Sequence, residues 1–133
     1  MDEALRQYVC MRGDGRCEYC HLPEAFANAP FQIDHIIAEK HGGPTEATNL
    51  ARSCYDCNTF KGPNIAGWLP DVDEVVRLFH PRKDDWTDHF EWPGARLVGR
   101  SKIARATISV LEINSAGATL RCSLLLQLGD FRD

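Results

Sequence analysis

No stretch of this 133-residue sequence is long and apolar enough to span a bilayer. Its first residues, Met1-Asp2-Glu3, lack the basic start and apolar stretch of an export signal. These absences predict a soluble, cytoplasmic protein with no membrane partner. Internal repeats and low-complexity linkers are missing, which excludes solenoids and largely disordered chains. A surplus of positive charge is missing as well. Fifteen Lys and Arg stand against 19 Asp and Glu, for a formal net charge of −4. That balance argues against nucleic-acid binding by bulk charge and leaves only local sites that bring their own cations. One local concentration exists: Arg96, Arg100, Lys102 and Arg105 occupy a stretch with no acidic residue. It reads either as a phosphate-contacting face or as the solvated side of a helix.

What the chain does have is ordinary globular material. Hydrophobic residues make up 44% and charged residues 26%, enough for one packed core. Apolar positions over 2–12, including Leu5, Tyr8 and Val9, predict a short first helix that Gly13 ends. Residues 22–29 are ambiguous and allow one helical turn. Residues 31–36 alternate as a strand does. Residues 38–48, with Gly42-Gly43-Pro44, predict a loop, and 49–53 a second strand. A helix is expected from near Cys57 to Lys61, limited by Gly62-Pro63. Further on, 71–79 reads as a capped amphipathic helix, with acid at its start and Arg77 near its end. The aromatic-rich stretch 86–98 suggests a hairpin around Pro93-Gly94. Residues 101–113 and 116–128 read as mostly helical, although Thr107-Ile108-Ser109-Val110 also suits a strand.

The sequence contains six cysteines. With no export signal, disulfides are not their natural explanation. Four fall into two matched pairs, Cys17-x-x-Cys20 and Cys54-x-x-Cys57. A two-residue gap lets both sulfurs of a knuckle face one ion, and two knuckles complete a tetrahedral Zn²⁺ site. Such a site is closed to substrate and water, so this zinc folds the domain and takes no part in catalysis. Cys10 and Cys122 read as small core residues. His21 follows the first knuckle and, with four cysteines present, is not needed as a ligand.

Between and after the knuckles lie Ile33-Asp34-His35-Ile36-Ile37, Gly42-Gly43-Pro44, Asn49-Leu50 and Cys57-Asn58-Thr59-Phe60-Lys61-Gly62. Together, in this order, these residues resemble the HNH endonuclease family, whose fold is the ββα-metal (His-Me finger) module. The resemblance covers roughly residues 5–66. It implies an α+β fold: an HNH module at 1–67 stapled by the four-cysteine zinc site, and a mixed α/β C-terminal extension, 68–133, packed on it.

The resemblance further implies a metal-dependent endonuclease that hydrolyses DNA phosphodiesters. Cleavage would leave 5′-phosphate and 3′-hydroxyl ends, and a lone domain would most naturally nick one strand. His35 matches the family's general base, which suits a histidine at neutral pH. Asp34 matches a metal ligand. Asn58 stands where the family has its last His or Asn, as a second ligand; capping the helix is the competing role. Two oxygen ligands and several waters suit Mg²⁺ or Mn²⁺ better than zinc.

Asn49 matches the central Asn, which holds the loop and orients His35. Lys61, one helical turn after Asn58, is either a substrate-phosphate contact or a surface lysine. His41 reads as a loop-surface histidine, and His80 and His89 as packing or surface residues. Two other functions remain: a catalytically silent, zinc-stapled nucleic-acid-binding module, and an RNA-cleaving member. Trp86, Phe90 and Trp92 read as core residues with base stacking as the alternative. A dimer is compatible with the sequence.

Overall fold

The computed structural model describes residues 1–128. Helix α1 spans Glu3–Arg12, and the Asp2 side chain accepts a hydrogen bond from the Leu5 N–H at its start. Only Val9 of this helix is fully buried; Tyr8 is exposed and Cys10 half-buried. The first knuckle follows, and a single 3₁₀ turn, Glu24–Phe26, fills the ambiguous segment.

Strands β1 (Gln32–His35) and β2 (Leu50–Ser53) pair antiparallel, with Gln32 opposite Ser53 and His35 opposite Leu50. The loop between them contains two 3₁₀ turns, Glu39–His41 and Ala47–Asn49. Helix α2, Tyr55–Lys61, begins two residues earlier than the sequence suggested, because Cys54 itself is its N-cap. The Cys54 sulfur accepts from the Cys57 N–H at 3.4 Å, so a metal-site cysteine also replaces the usual Ser or Asp cap. Helix α1 and helix α2 both pack on this hairpin.

The chain beyond α2 departs from one expectation. Residues 71–79 are not an amphipathic helix. They form strand β4, Glu74–Arg77, paired antiparallel with β3, Ala66–Leu69, and the pairing continues at Leu78, whose N–H donates to the Ile65 carbonyl. Val75 and Arg77 point out while Val76 and Leu78 turn inward, a period of two that the helical reading missed. The β-branched Val72, Val75 and Val76 favour this outcome. Asp73 takes a left-handed turn conformation (φ 52°) and accepts from Trp68 Nε1, closing the hairpin.

A short helix, α3 (Trp86–His89), precedes a two-residue pairing of β5 (Phe90–Glu91) with β6 (Val98–Gly99). The suggested hairpin over 86–98 is therefore real in its second part, and its first turn is helical. Helix α4, Lys102–Val110, takes the Thr107–Val110 stretch as helix and packs on β3, β4 and β6. The approach is close: a Cβ at Gly67 would stand 2.7 Å from Val110 Cγ2. Helix α5, Ala116–Gln127, buries Cys122 and Leu125.

One apolar cluster joins these parts. It runs from the cysteines, Tyr19, Phe31 and Ile36 through Phe79 and Phe90 to Leu111 and Leu125. Three side chains from beyond residue 67 converge on the first knuckle. Trp86 Nε1 donates to the Tyr19 carbonyl at 2.8 Å and Trp92 Nε1 to the Cys20 carbonyl at 3.0 Å. Arg82 forms an ion pair with Glu18, which also accepts from the Arg52 N–H at 2.7 Å. No helix among the described residues is long and apolar enough to cross a membrane.

Candidate active site and zinc centre

The four paired cysteines come together. The sulfurs of Cys17, Cys20, Cys54 and Cys57 all lie within 4.8 Å of one another, and all four residues are buried. Cys20 and Cys54 sulfurs are 3.9 Å apart. A tetrahedral ion with Zn–S bonds of about 2.3 Å requires sulfurs separated by about 3.8 Å. Each knuckle directs a backbone N–H at its first sulfur, from Cys20 to Cys17 at 3.5 Å and from Cys57 to Cys54 at 3.4 Å.

The electrostatics of the cluster also call for a cation. Cys54 is pushed far down as a thiolate because the neighbouring thiols of Cys17, Cys20 and Cys57 donate to it. The Cys20 and Cys57 thiols are pushed well up, chiefly by hydrogen bonding to neighbouring sulfurs. Four buried sulfurs this close together can all be thiolates only with a cation among them, so the donor set fits structural zinc. His21 is not part of this cluster. It takes a left-handed backbone conformation (φ 67°) and stacks on Trp86, with ring centroids 3.6 Å apart and planes 10° from parallel. Burial, and Arg16 beside it, lower its pKa to about 4, so its ring is neutral at physiological pH.

Beside the staple, Asp34, His35 and Asn58 line one open cavity of about 240 Å³, with Glu39 and Pro63 among its walls. Strand β1 supplies the first two residues and helix α2 the third. Asp34 and His35 are neighbours on a strand, so their side chains leave in opposite directions; they share the cavity because β1 ends at His35 and the chain turns there. His35 Nε2 lies 2.9 Å from Thr45 Oγ1 and 3.9 Å from the Glu39 carboxylate.

Asp34 is buried, and each of its contacts is to a buried donor. The Tyr19 hydroxyl donates to Oδ2 at 2.6 Å. Lys61 Nζ lies 3.1 Å from Oδ2 and 3.3 Å from Oδ1. Burial holds the Asp34 carboxyl above its ordinary value, and Lys61 and Tyr19 offset only part of the rise.

Lys61 occupies neither position expected of it. Its side chain is 1% exposed, so it is neither a surface lysine nor open to a phosphate. It also donates to the carbonyls of His35, at 3.1 Å, and Ile36, at 3.0 Å. An ammonium has three protons, and here it meets a carboxylate and two carbonyls at the end of a strand, where the ladder no longer supplies partners.

Asn49 is buried in the loop. Its Oδ1 accepts from the Ile37 N–H, and its Nδ2 donates to the carbonyls of Ile37 and Pro44, all at 2.9 Å. The carboxamide therefore clips both ends of the segment that follows His35. Gly43 makes this closure possible: a Cβ there would stand 1.7 Å from the Ile37 carbonyl oxygen. Asn58 is half-buried on α2, and its side chain is not the cap of that helix, a place Cys54 holds. His41 is exposed and reaches the Pro63 carbonyl at 3.1 Å.

Sequence reasoning missed Tyr19, Thr45, Glu39 and Glu18. Only Tyr19 carried a signal, as an aromatic residue enclosed within a metal knuckle. The basic stretch is not an unopposed patch. Arg100 pairs with Glu91 at 3.1 Å, Lys102 with Glu74 at 2.7 Å and Arg105 with Asp71 at 2.6 Å. Neighbouring strands and loops bring in the acids that the linear stretch lacks.

No curated protein and no solved structure matches the chain. Residues 17–64 match the family model described as HNH endonuclease. The match opens at the first zinc-site cysteine, closes just after α2, and contains the whole cavity triad. The segment from Cys17 to Asn64, which holds both knuckles and all three cavity residues, is thus similar to the HNH endonuclease family.

Proposed function

We propose that this protein is a metal-dependent endonuclease that hydrolyses phosphodiester bonds of DNA, with His35 as general base and Asp34 and Asn58 as ligands of one Mg²⁺ or Mn²⁺ ion. The observation that carries the reading is the convergence of a carboxylate, an imidazole and a carboxamide on one open cavity inside an HNH module.

The donor set suits a hard divalent cation. Asp34 Oδ2 is occupied by Tyr19 and Lys61, whereas Oδ1 has only the longer Lys61 contact and retains lone pairs for a ligand. Asn58 adds a neutral oxygen from the adjoining helix. When bound, the ion relieves charge on the phosphate and on the leaving 3′-oxygen.

His35 takes the proton from the attacking water. Thr45 occupies Nε2, and a hydrogen bond donated by Nε2–H leaves the lone pair on Nδ1 to accept that proton. The Glu39 carboxylate stands 3.9 Å from the same Nε2, at the wall of the cavity. Asn49 sets the loop that follows His35 and so the direction of the strand end. Lys61 acts as an internal counter-ion to Asp34, with no role at the phosphate.

The test is cleavage of duplex DNA, single-stranded DNA and RNA of one sequence by zinc-loaded protein, with Mg²⁺ or Mn²⁺ and with a chelated control. The reading expects metal-dependent cutting of duplex DNA. Cutting of RNA alone overturns the substrate. Binding of duplex without cutting of any substrate overturns the catalytic reading in favour of a binding module.

A further inference from the structure

The zinc centre and the candidate ion site are joined by one side chain. Tyr19 stands between two zinc-site cysteines, is wholly buried, and donates its hydroxyl proton to Asp34. At 2.6 Å this is a charge-assisted bond, short and strongly directional. The tyrosine has no freedom to follow a moving carboxylate. Its backbone is fixed on one side by the knuckle, where the His21 N–H donates to the Cys17 carbonyl, and on the other by Trp86, which donates to its own carbonyl. Glu18, the residue before it, is tied to both Arg52 and Arg82.

We propose that Tyr19 is a positioning residue: held rigid by the zinc knuckle, its hydroxyl fixes Asp34 Oδ2 and so presents Oδ1 to a divalent ion in the cavity shared with His35 and Asn58. The inference rests on Asp34 being an ion ligand. Its consequence is that occupancy of the zinc site governs affinity at the second site, although the two share no ligand. Lys61 alone does not do this work, because its contacts with Oδ1 and Oδ2 are nearly equal and do not distinguish the two oxygens.

The test is a double-mutant cycle on Mn²⁺ affinity, read by electron paramagnetic resonance on zinc-loaded protein: wild type, Tyr19→Phe, Asp34→Asn and the double variant. Removing a hydrogen-bond partner of a metal ligand costs about 10–100-fold in affinity, and Tyr19→Phe is expected to lose that much while keeping its zinc. In the Asp34→Asn background the same substitution is expected to cost nothing further, since its only route to the ion is gone.

An equal loss in both backgrounds would show a merely structural tyrosine and overturn the inference. Unchanged Mn²⁺ affinity in Tyr19→Phe, with a clear loss in Asp34→Asn, overturns it alone and spares the parent reading. Unchanged affinity in Asp34→Asn overturns both. If Tyr19→Phe fails to keep zinc, wild-type protein labelled with carbon-13 at tyrosine Cζ decides instead. Saturation with Mg²⁺ is expected to shift the Tyr19 signal and leave those of the exposed Tyr8 and Tyr55 in place. A Tyr19 signal that ignores Mg²⁺ overturns the inference.

Discussion

Lys61 Nζ lies 3.1 Å from Asp34 Oδ2, and both side chains are almost sealed from solvent, at 1% and 6% exposure. A charge in that position is tolerated only while its partner is present. Lys61→Met therefore leaves the Asp34 carboxylate buried and uncompensated, and strands two strand-end carbonyls. Breaking a buried pair in this way costs about 3–5 kcal/mol. Urea denaturation of the zinc-loaded variant checks the loss. The same substitution is expected to leave the salt dependence of DNA binding unchanged, whereas a phosphate-contacting lysine would lower it.

The four-cysteine centre predicts one zinc per chain by metal analysis. Cys57→Ser is expected to lose that zinc, and with it the cap of α2 and the seat of Tyr19. A chelator acting on the wild type is expected to produce the same collapse of near-ultraviolet dichroism, because metal binding and folding are linked. Cys10→Ser, outside the cluster, is expected to retain full zinc content.

The loop clip makes its own prediction. Asn49→Ala leaves the Ile37 N–H and the Ile37 and Pro44 carbonyls without their partners. Unpaired buried polar groups cost about 1–3 kcal/mol each where water cannot reach them. The melting temperature is expected to fall, and hydrogen exchange over residues 37–49 to accelerate ahead of the rest. Gly43→Ala is expected to be at least as harmful, because its Cβ would overlap the Ile37 carbonyl.

Acid sensitivity follows from Asp84. The Arg77 guanidinium grips its carboxylate with two hydrogen bonds, of 2.8 and 2.9 Å, and with help from the His80 N–H its pKa falls from 3.8 to about 2. The folded pKa lies below the unfolded one, so the pair contributes stability that is complete above about pH 4 and disappears as pH falls toward 2. Asp84→Asn is expected to be less stable than wild type near neutrality, and the gap in urea midpoint should close over that window.

Much of the module was legible because its signals are local. Two Cys-x-x-Cys pairs specify a metal site whatever lies between them, and the alternation at 31–36 specifies a strand. Lys61 was not legible. Helical spacing places it one turn from Asn58, but nothing local says that its ammonium reaches back to the end of β1. Tyr19 was hidden for a similar reason, since its partner lies on another element. Residues 71–79 carry acids, valines and a closing arginine that satisfy a helix pattern. The β-branched valines and the pairing partner at 66–69 decided otherwise, and only the second of these is invisible in the segment itself. The basic stretch at 96–105 left two readings open, and the acids that pair with it, Asp71, Glu74 and Glu91, come from other elements.

The most direct test of the account is nicking of supercoiled plasmid in Mg²⁺ by zinc-loaded wild type and by zinc-loaded His35→Ala. The account predicts metal-dependent conversion to open circles by the wild type and a rate about 10²–10⁴-fold lower for the variant, the usual worth of a general base. A His35→Ala protein that nicks as fast as the wild type, or a zinc-loaded wild type that leaves the plasmid intact, would contradict it.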